Sequence, residues 1–191
     1  MHAAVDGWPH LLDRSVEAEI TPPAAAVAIV FVPGPAVVFI RRAEHPGDPW
    51  SGHMALPGGR WEPTDADTRA AARRETVEEL GFDPEAGRWL GRLGPVLAPV
   101  RGDRPRLRIV PHVWALDHLP ALRPNHEVAA VHVFAWERFV RGEGRGRLQW
   151  AGPRGPLDLP VVHLDGADIW GITLRVVDDL LGRLGVSPGV G

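Results

Sequence analysis

The sequence predicts an α/β or α+β sandwich built around a mixed β-sheet. Three observations carry that expectation. Apolar runs rich in β-branched residues recur along the chain and are separated by turn residues. Helical patterns are interposed between and after them. One of those helices is acidic and follows a glycine pair. No internal repeat and no linker divides the 191 residues, so a single domain over 1–191 is expected, with its core at about 24–184.

In chain order, residues 8–19 (WPHLLDRSVEAE) fit a short amphipathic helix that ends before Pro22-Pro23. Ala24–Val32 and Ala36–Ile40 flank Pro33-Gly34-Pro35 and read as a hairpin. The stretch from Glu44 to Gly59 is too rich in Pro and Gly for regular structure and suits a loop over a site. Residues 66–80 predict a helix with Gly81 as its stop and either Thr64 or Asp65 as its cap. Further strands are expected at Gly94–Val100, Leu107–Leu116 and Val128–Trp136. Arg141–Arg147 (RGEGRGR) reads as a mobile loop. Ile169, Ile172, Val176, Leu180 and Leu184 recur at helical spacing and predict a last helix from Ala167 to Leu184, with Trp170 on its apolar side.

Composition removes several function classes. Hydrophobic residues make up 45% and charged residues 24%, which is a globular balance. The net charge of −3 leaves no overall basic footprint for nucleic acid or an anionic membrane. All 21 cationic residues are Arg, which excludes Schiff-base chemistry and a phosphate-binding lysine. With no Cys there are no disulfides, thiolate metal sites or cysteine nucleophiles. Residues 1–13 lack the pattern of a signal peptide, and no run approaches the ~20 apolar residues that span a bilayer. A cytoplasmic protein, monomeric or homodimeric, is the expectation.

The informative segment runs from Gly58-Gly59-Arg60-Trp61-Glu62-Pro63-Thr64-Asp65 to Arg74-Glu75-Thr76-Val77-Glu78-Glu79-Leu80-Gly81-Phe82. Positions three and four apart are neighbours on a helix, so Glu75, Glu78 and Glu79 share a face. Taken alone, that face fits either of two readings. It could be a solvated acidic surface with Arg73 and Arg74 in weak ion pairs. It could equally be a site for a hard divalent cation, which takes carboxylate oxygens and keeps several waters. Glycines at 58 and 59 would then permit close approach of the backbone, whose carbonyl can itself act as a ligand.

Those residues resemble the Nudix box, a Gly, five residues, a Glu, seven residues, then Arg-Glu-apolar-x-Glu-Glu-x-Gly-apolar. Here the first acid is Asp65, one extra residue precedes Arg74, and Thr76 stands at the usually apolar position. The Asp-containing form is familiar from the coenzyme A pyrophosphatase branch. Two more segments are similar to that branch: Gly52-His53-Met54-Ala55-Leu56-Pro57-Gly58-Gly59, with Leu56 where Phe is usual, and Ile169-Trp170-Gly171-Ile172-Thr173. The branch's Leu-Leu-Thr-x-x-Arg-Ser opening is replaced by Val38-Phe39-Ile40-Arg41-Arg42-Ala43. The likeness covers roughly residues 25–184. It implies an α/β/α sandwich that hydrolyses a diphosphate linkage with Mg²⁺ or Mn²⁺ by attack of water on phosphorus. Glu75, Glu78 and Glu79 would be metal ligands, with Gly59 or Gly58 adding a carbonyl. Arg74 would orient the glutamates, and Asp65 would support the loop–helix junction. The substrate stays open between coenzyme A or an acyl derivative and another nucleoside diphosphate derivative, such as ADP-ribose, a dinucleoside polyphosphate or NADH. A non-catalytic nucleotide-sensing domain is the rival class. Isoprenoid diphosphate isomerisation on this fold needs a catalytic Cys, and there is none.

Outside the box, Glu127 is either a base or further metal ligand, or an exposed acid before a strand. Asp103 is a weaker candidate base. Arg41, Arg101 and Arg104 are candidates to grip substrate phosphate. Arg106 and Arg108 fit that role or a half-exposed strand equally. Trp50 and His53 flank the expected entrance, where a ring could stack on a base or seal a core edge. Trp170 reads as core. His126 and His132 lack metal-ligand spacing and stay outside the site.

Overall fold

The computed structural model describes residues 7–15, 22, 24–47, 50–98, 106–152 and 155–187. The expected hairpin is present: β1 (Ala24–Val32) pairs antiparallel with β2 (Ala36–Arg42) across Pro33-Gly34-Pro35, with Val32 opposite Ala36. Both strands are buried nearly end to end, because each packs on two sides. Ala26, Ala28 and Val30 of β1, and Val38 and Ile40 of β2, face one core. Ile29, Phe31, Val37 and Phe39 face another. That alternation marks a sheet with a layer on each face.

The first layer is helix α1 (Thr68–Leu80). Its Ala71 and Ala72 meet Ala26 and Ala28, all four with no exposed surface, so small side chains let helix and sheet approach closely. The second layer contains α3 (Gly171–Arg183), which supplies Leu174, Val176, Val177, Leu180 and Leu181. The short helix α2 (Trp136–Val140) adds Trp136 and Phe139 to the same side, Trp136 edge-on against Phe31 and Phe139 stacked on Phe39. The described arrangement is therefore the expected α/β/α sandwich.

The main sheet is mixed because β1 runs parallel to β7 (Arg108–Ala115), while its other pairings are antiparallel. Its path is β3-β2-β1-β7-β5, where β3 is Met54–Ala55 and β5 is Arg88–Arg92. Off that path, β4 (Gly58–Arg60) pairs β1, β6 (Val96–Leu97) pairs β7, and β8 (Val128–Ala135) pairs β2. A second sheet of three strands has the order β11-β10-β9, with β9 at Arg145–Gly152, β10 at Gly155–Leu164 and β11 at Ala167–Trp170.

Several sequence expectations need correction. At the N-terminus a single 3-10 turn at Trp8–His10 replaces the start of the expected helix, and Asp13 exchanges backbone bonds with Arg92 instead of continuing one. Residues 16–19 of that prediction lie outside the described residues. Helix α1 begins at Thr68, capped by Asp67, whose Oδ1 accepts the Ala70 N–H at 2.7 Å; neither Thr64 nor Asp65 is the cap. Within the expected loop before Gly59, β3 forms by pairing with β2, and Gly58–Arg60 forms β4 on β1. The strand expected at 94–100 is reduced to β6, with 99 and 100 outside the described residues, and β5 was not foreseen. Val128–Ala135 stops one residue early because Trp136 opens α2. The Arg141–Arg147 segment is a turn only as far as Gly144; Arg145 starts β9. Ala167–Trp170 is strand, not helix, because Gly171 at φ +63° turns the chain into α3.

Candidate active site

Helix α1 carries the carboxylates, and local chemistry sets its two ends. Asp67 caps the start, and Gly81 closes the end at φ +73° with its N–H on the Val77 carbonyl. Along the helix Thr68, Ala71, Ala72, Thr76, Glu79 and Leu80 are buried. Thr76 tolerates the usually apolar position because its Oγ1 donates to the Ala72 carbonyl at 2.7 Å. Glu79 lies on the same inward stripe and is 2% exposed. Its Oε2 accepts the Gly58 N–H at 2.9 Å, which joins the helix to β4.

The glycine pair is sterically demanded. A Cβ on Gly58, at φ +148°, would stand 2.2 Å from the Ala26 carbonyl oxygen and 2.6 Å from Val27 Cα. A Cβ on Gly59 would stand 2.4 Å from the Glu75 carboxyl carbon. The Glu75 carboxylate thus occupies the room that a side chain at 59 would need. Glu75 is largely buried at 16% side-chain exposure, whereas Glu78 is 54% exposed and stands 3.4 Å from Arg74 Nη1.

Arg74 is the hub of this half of the site. Its Nε and Nη2 fork onto the two oxygens of Asp65 at 3.1 Å each, Nη1 donates to Glu75 at 2.9 Å, and Nη2 also donates to the Arg60 carbonyl at 2.9 Å. Glu78 stands 3.4 Å from Nη1. Asp65 additionally accepts the Glu62 N–H at 2.9 Å, while Trp61 Nε1 donates to its carbonyl. Burial alone would raise the Asp65 carboxyl, but the Arg74 fork and the Glu62 N–H outweigh it and hold the group below its ordinary range. Asp65 is therefore a buried anion anchored to the arginine that grips Glu75.

The acids around Gly58 and Gly59 are electrostatically uncomfortable. Burial pushes the Glu79 carboxyl up to about 8, with Glu75 and Glu127 adding repulsion; the Gly58 N–H and the Arg42 charge act the other way. Burial also raises Glu75, opposed by Arg74 and reinforced by Glu78 and Glu127. Glu127 is exposed on the segment that covers the end of α1, where Asn125 N–H bonds the Glu79 carbonyl at 3.0 Å and Arg123 N–H bonds that of Leu80 at 2.8 Å. Its own N–H is held by Asn125 Oδ1, and its carbonyl accepts the Ala43 N–H. Glu75, Glu79 and Glu127 thus feel one another's charge.

Such an all-oxygen, mutually repelling donor set suits a hard divalent cation. Among the described residues no group of three or more His, Cys, Asp or Glu is placed to hold a metal ion. Mg²⁺ commonly takes one or two carboxylates and completes its shell with water and substrate phosphate.

Other candidates are dispersed. Arg41 is exposed at the end of β2, opposite Met54. Arg42 was missed by the sequence reading, yet its charge reaches Glu79. The signal was parity: Ala36, Val38 and Ile40 face the α1 side, and Arg42 is the next position in that series. Arg101, Asp103 and Arg104 lie outside the described residues. Trp50 is 44% exposed, and its carbonyl accepts the His53 N–H. His53 packs on Trp170 at 4.7 Å between ring centroids. Trp170 is therefore a half-buried residue at the end of β11, against the site loop, and not a core residue of the last helix. A cavity of about 60 Å³ lined by Asp67, Thr68, Arg69 and His112 sits at the other end of α1, away from the carboxylates.

Comparison with known proteins defines the class. The model of the NUDIX domain matches residues 21–150, and the chain belongs to the NUDIX family as a pyrophosphohydrolase acting on a nucleoside diphosphate derivative. It is 33% identical over 189 residues to the mitochondrial coenzyme A diphosphatase NUDT8 of Mus musculus, covering 94% of this chain and 86% of that one. It is 40% identical over 119 residues to an uncharacterized protein of Schizosaccharomyces pombe, covering 60% of this chain but 36% of that protein. The NUDIX domain of Shewanella oneidensis NrtR, solved with ADP ribose, superposes with a TM-score of 0.53 at 16% identity over 96% of this chain and 99% of that one. That likeness is one of fold. Among the described residues no helix is long and apolar enough to cross a membrane.

Proposed function

We propose that the enzyme cleaves the diphosphate of coenzyme A or an acyl derivative, using Mg²⁺ or Mn²⁺ held by Glu75 and Glu79. The observation that carries the metal assignment is the convergence of these two buried, mutually repelling carboxylates on the strand that carries the glycine pair, where a Cβ at Gly58 would meet backbone and one at Gly59 would meet Glu75. Glu78 and the Gly59 carbonyl are the further candidate ligands. When bound, the cation neutralises charge on the diphosphate and lowers the pKa of water. The protein's own part is to fix the acids. Arg74 holds Glu75 while it is itself anchored on Asp65, and Gly58 N–H holds Glu79. Glu127, exposed and close to both in charge, is the candidate to accept the proton of the attacking water. Arg42 brings positive charge to the same place for a substrate phosphate.

The substrate assignment is supported by the whole-length likeness to the mouse coenzyme A diphosphatase. It is supported also by the mutual contact of the Gly52–Gly59 and Ile169–Thr173 segments. The test is incubation of purified protein with coenzyme A, ADP-ribose, a dinucleoside polyphosphate and NADH, each with Mg²⁺ or Mn²⁺. Coenzyme A should be split into two phosphomonoesters, with one water added across the P–O–P bridge. Cleavage of another compound alone would move the substrate, and cleavage of none would overturn the proposal.

A further inference from the structure

Thr173 and Trp170 tie the last helix to the strand that feeds the glycine pair. Thr173 Oγ1 donates to the Met54 carbonyl at 3.1 Å. The Trp170 ring packs on His53, and Trp150 of β9 backs it at 5.9 Å. The turn at Gly171 brings residues 170 and 173 against consecutive positions of the site segment.

Met54 lies on β3, which ends the main sheet and is two residues long. Arg42 N–H bonds the His53 carbonyl at 3.0 Å. Hydrogen-bonded and non-bonded pairs alternate along an antiparallel ladder, so Arg41–Met54 is the non-bonded pair and the Met54 carbonyl turns away from β2. A carbonyl so placed needs another donor, and the Thr173 hydroxyl supplies it. Four residues further on, Gly58 N–H holds the Glu79 carboxylate, with the Pro57 carbonyl accepting Ala28 N–H at 2.8 Å just before it. The segment 54–58 is therefore pinned by Thr173 at one end and by β1 at the other.

We propose that Thr173 is a positioning residue of the active site: through the Met54 carbonyl it fixes the segment that presents Gly58 N–H to Glu79. The assignment rests on the reading of Glu79 as part of the metal and diphosphate site. Thr173→Val removes the hydroxyl at nearly constant shape, and Thr173→Ser keeps it. Mn²⁺ affinity is measured by calorimetry for each. Alongside it, kcat and KM are determined on a diphosphate the wild type cleaves, and the thermal midpoint is taken in chelator. T173V should bind Mn²⁺ about tenfold more weakly, the lower end of what loss of a partner behind a metal ligand costs. Its kcat should fall more than its KM rises, and T173S should restore both. Wild-type Mn²⁺ affinity in T173V, or equal impairment of T173S and T173V, would overturn the proposal. A wild type that binds Mn²⁺ but cleaves no diphosphate would sink the hydrolase reading alone, since the affinity comparison still decides the role of Thr173.

Discussion

Adding one methyl group at Gly58 or at Gly59 separates what the glycine pair does for the fold from what it does for chemistry. At Gly59 the backbone is not left-handed, so alanine meets only the Glu75 carboxylate, 2.4–2.6 Å from the new Cβ. That group ends a flexible side chain and can swing away. The cost is its 2.9 Å contact with Arg74, a partly exposed pair worth at most about 1 kcal/mol, and a rotamer change of about 0.5–1.5 kcal/mol. At roughly 2–4 °C per kcal/mol for a chain of this size, Gly59→Ala should lower the melting temperature by about 1–10 °C. Gly58→Ala meets the Ala26 carbonyl and Val27 Cα, which are backbone and cannot swing, at a φ of +148° that side chains rarely adopt. Backbone strain of about 1–3 kcal/mol adds to the loss of the β1–β4 pairing. Its fall in melting temperature should be at least twice that of Gly59→Ala. Activity should show that the milder substitution is not innocent: with Glu75 displaced, kcat/KM should drop about 10²–10³-fold although the protein is folded. Thermal unfolding in chelator and hydrolysis assays at 25 °C decide both points. Gly59→Ala with wild-type kcat/KM, or melting as low as Gly58→Ala, would refute the reasoning.

Three further outcomes follow from the buried groups. The raised Glu79 carboxyl contributes to the stability of the metal-free protein fully below its unfolded pKa of about 4.5, and that contribution is lost as pH rises through about 8. In chelator, the wild type should lose on the order of 3 kcal/mol between pH 5 and 8 in urea unfolding, while Glu79→Gln should lose far less and be inactive. Added Mn²⁺ should restore the wild type at pH 8 and leave the variant almost unchanged. His112 is 2% exposed, and burial, aided by Arg92 and Arg69, lowers its pKa to about 3. Its contribution is whole above about pH 6.5 and is lost as pH falls toward 3, so His112→Gln should remove about 2 kcal/mol of the acid sensitivity between pH 7 and 5; an unchanged slope would sink the assignment. Asp65→Ala strips Arg74 of its fork, and should cost about 2–3 kcal/mol in denaturant unfolding and also lower kcat by disordering Glu75.

The sequence made legible what depends on local pattern. The β1–β2 hairpin, the acidic helix with its Gly81 stop and the apolar face of α3 follow from periodicity and turn chemistry, and the glutamates follow from spacing. What it concealed depends on partners distant in the chain. RGEGRGR reads as a loop because glycine and arginine lack strand preference; Arg145 and Gly146 become strand only by pairing with Val162 and Val161 of β10. The cap of α1 was placed at Thr64 or Asp65, whereas Asp67, two residues further on, takes it. Asp65 is withdrawn from it by Arg74, nine positions later, and that choice is set by the folded site. Ile169 fits the helical spacing of α3 by coincidence, since the break at Gly171 lies inside the pattern. Arg42 was passed over as a departure from a motif, whereas the side of β2 on which it falls links it to Glu79.

The parallel seam between β1 and β7 has a consequence for how the enzyme comes into being. Each residue of β1 in that seam faces one 84 positions later, from Ala24 opposite Arg108 to Phe31 opposite Ala115. Glu75 and Glu79 of α1, the proposed metal ligands, and the glycine strand are threaded inside the span those two strands close. Closing so long a span is entropically expensive and kinetically late. A newly made chain can therefore wind its acidic helix early, yet becomes competent only when these two strands, far apart along the chain, meet and shut the ring around it.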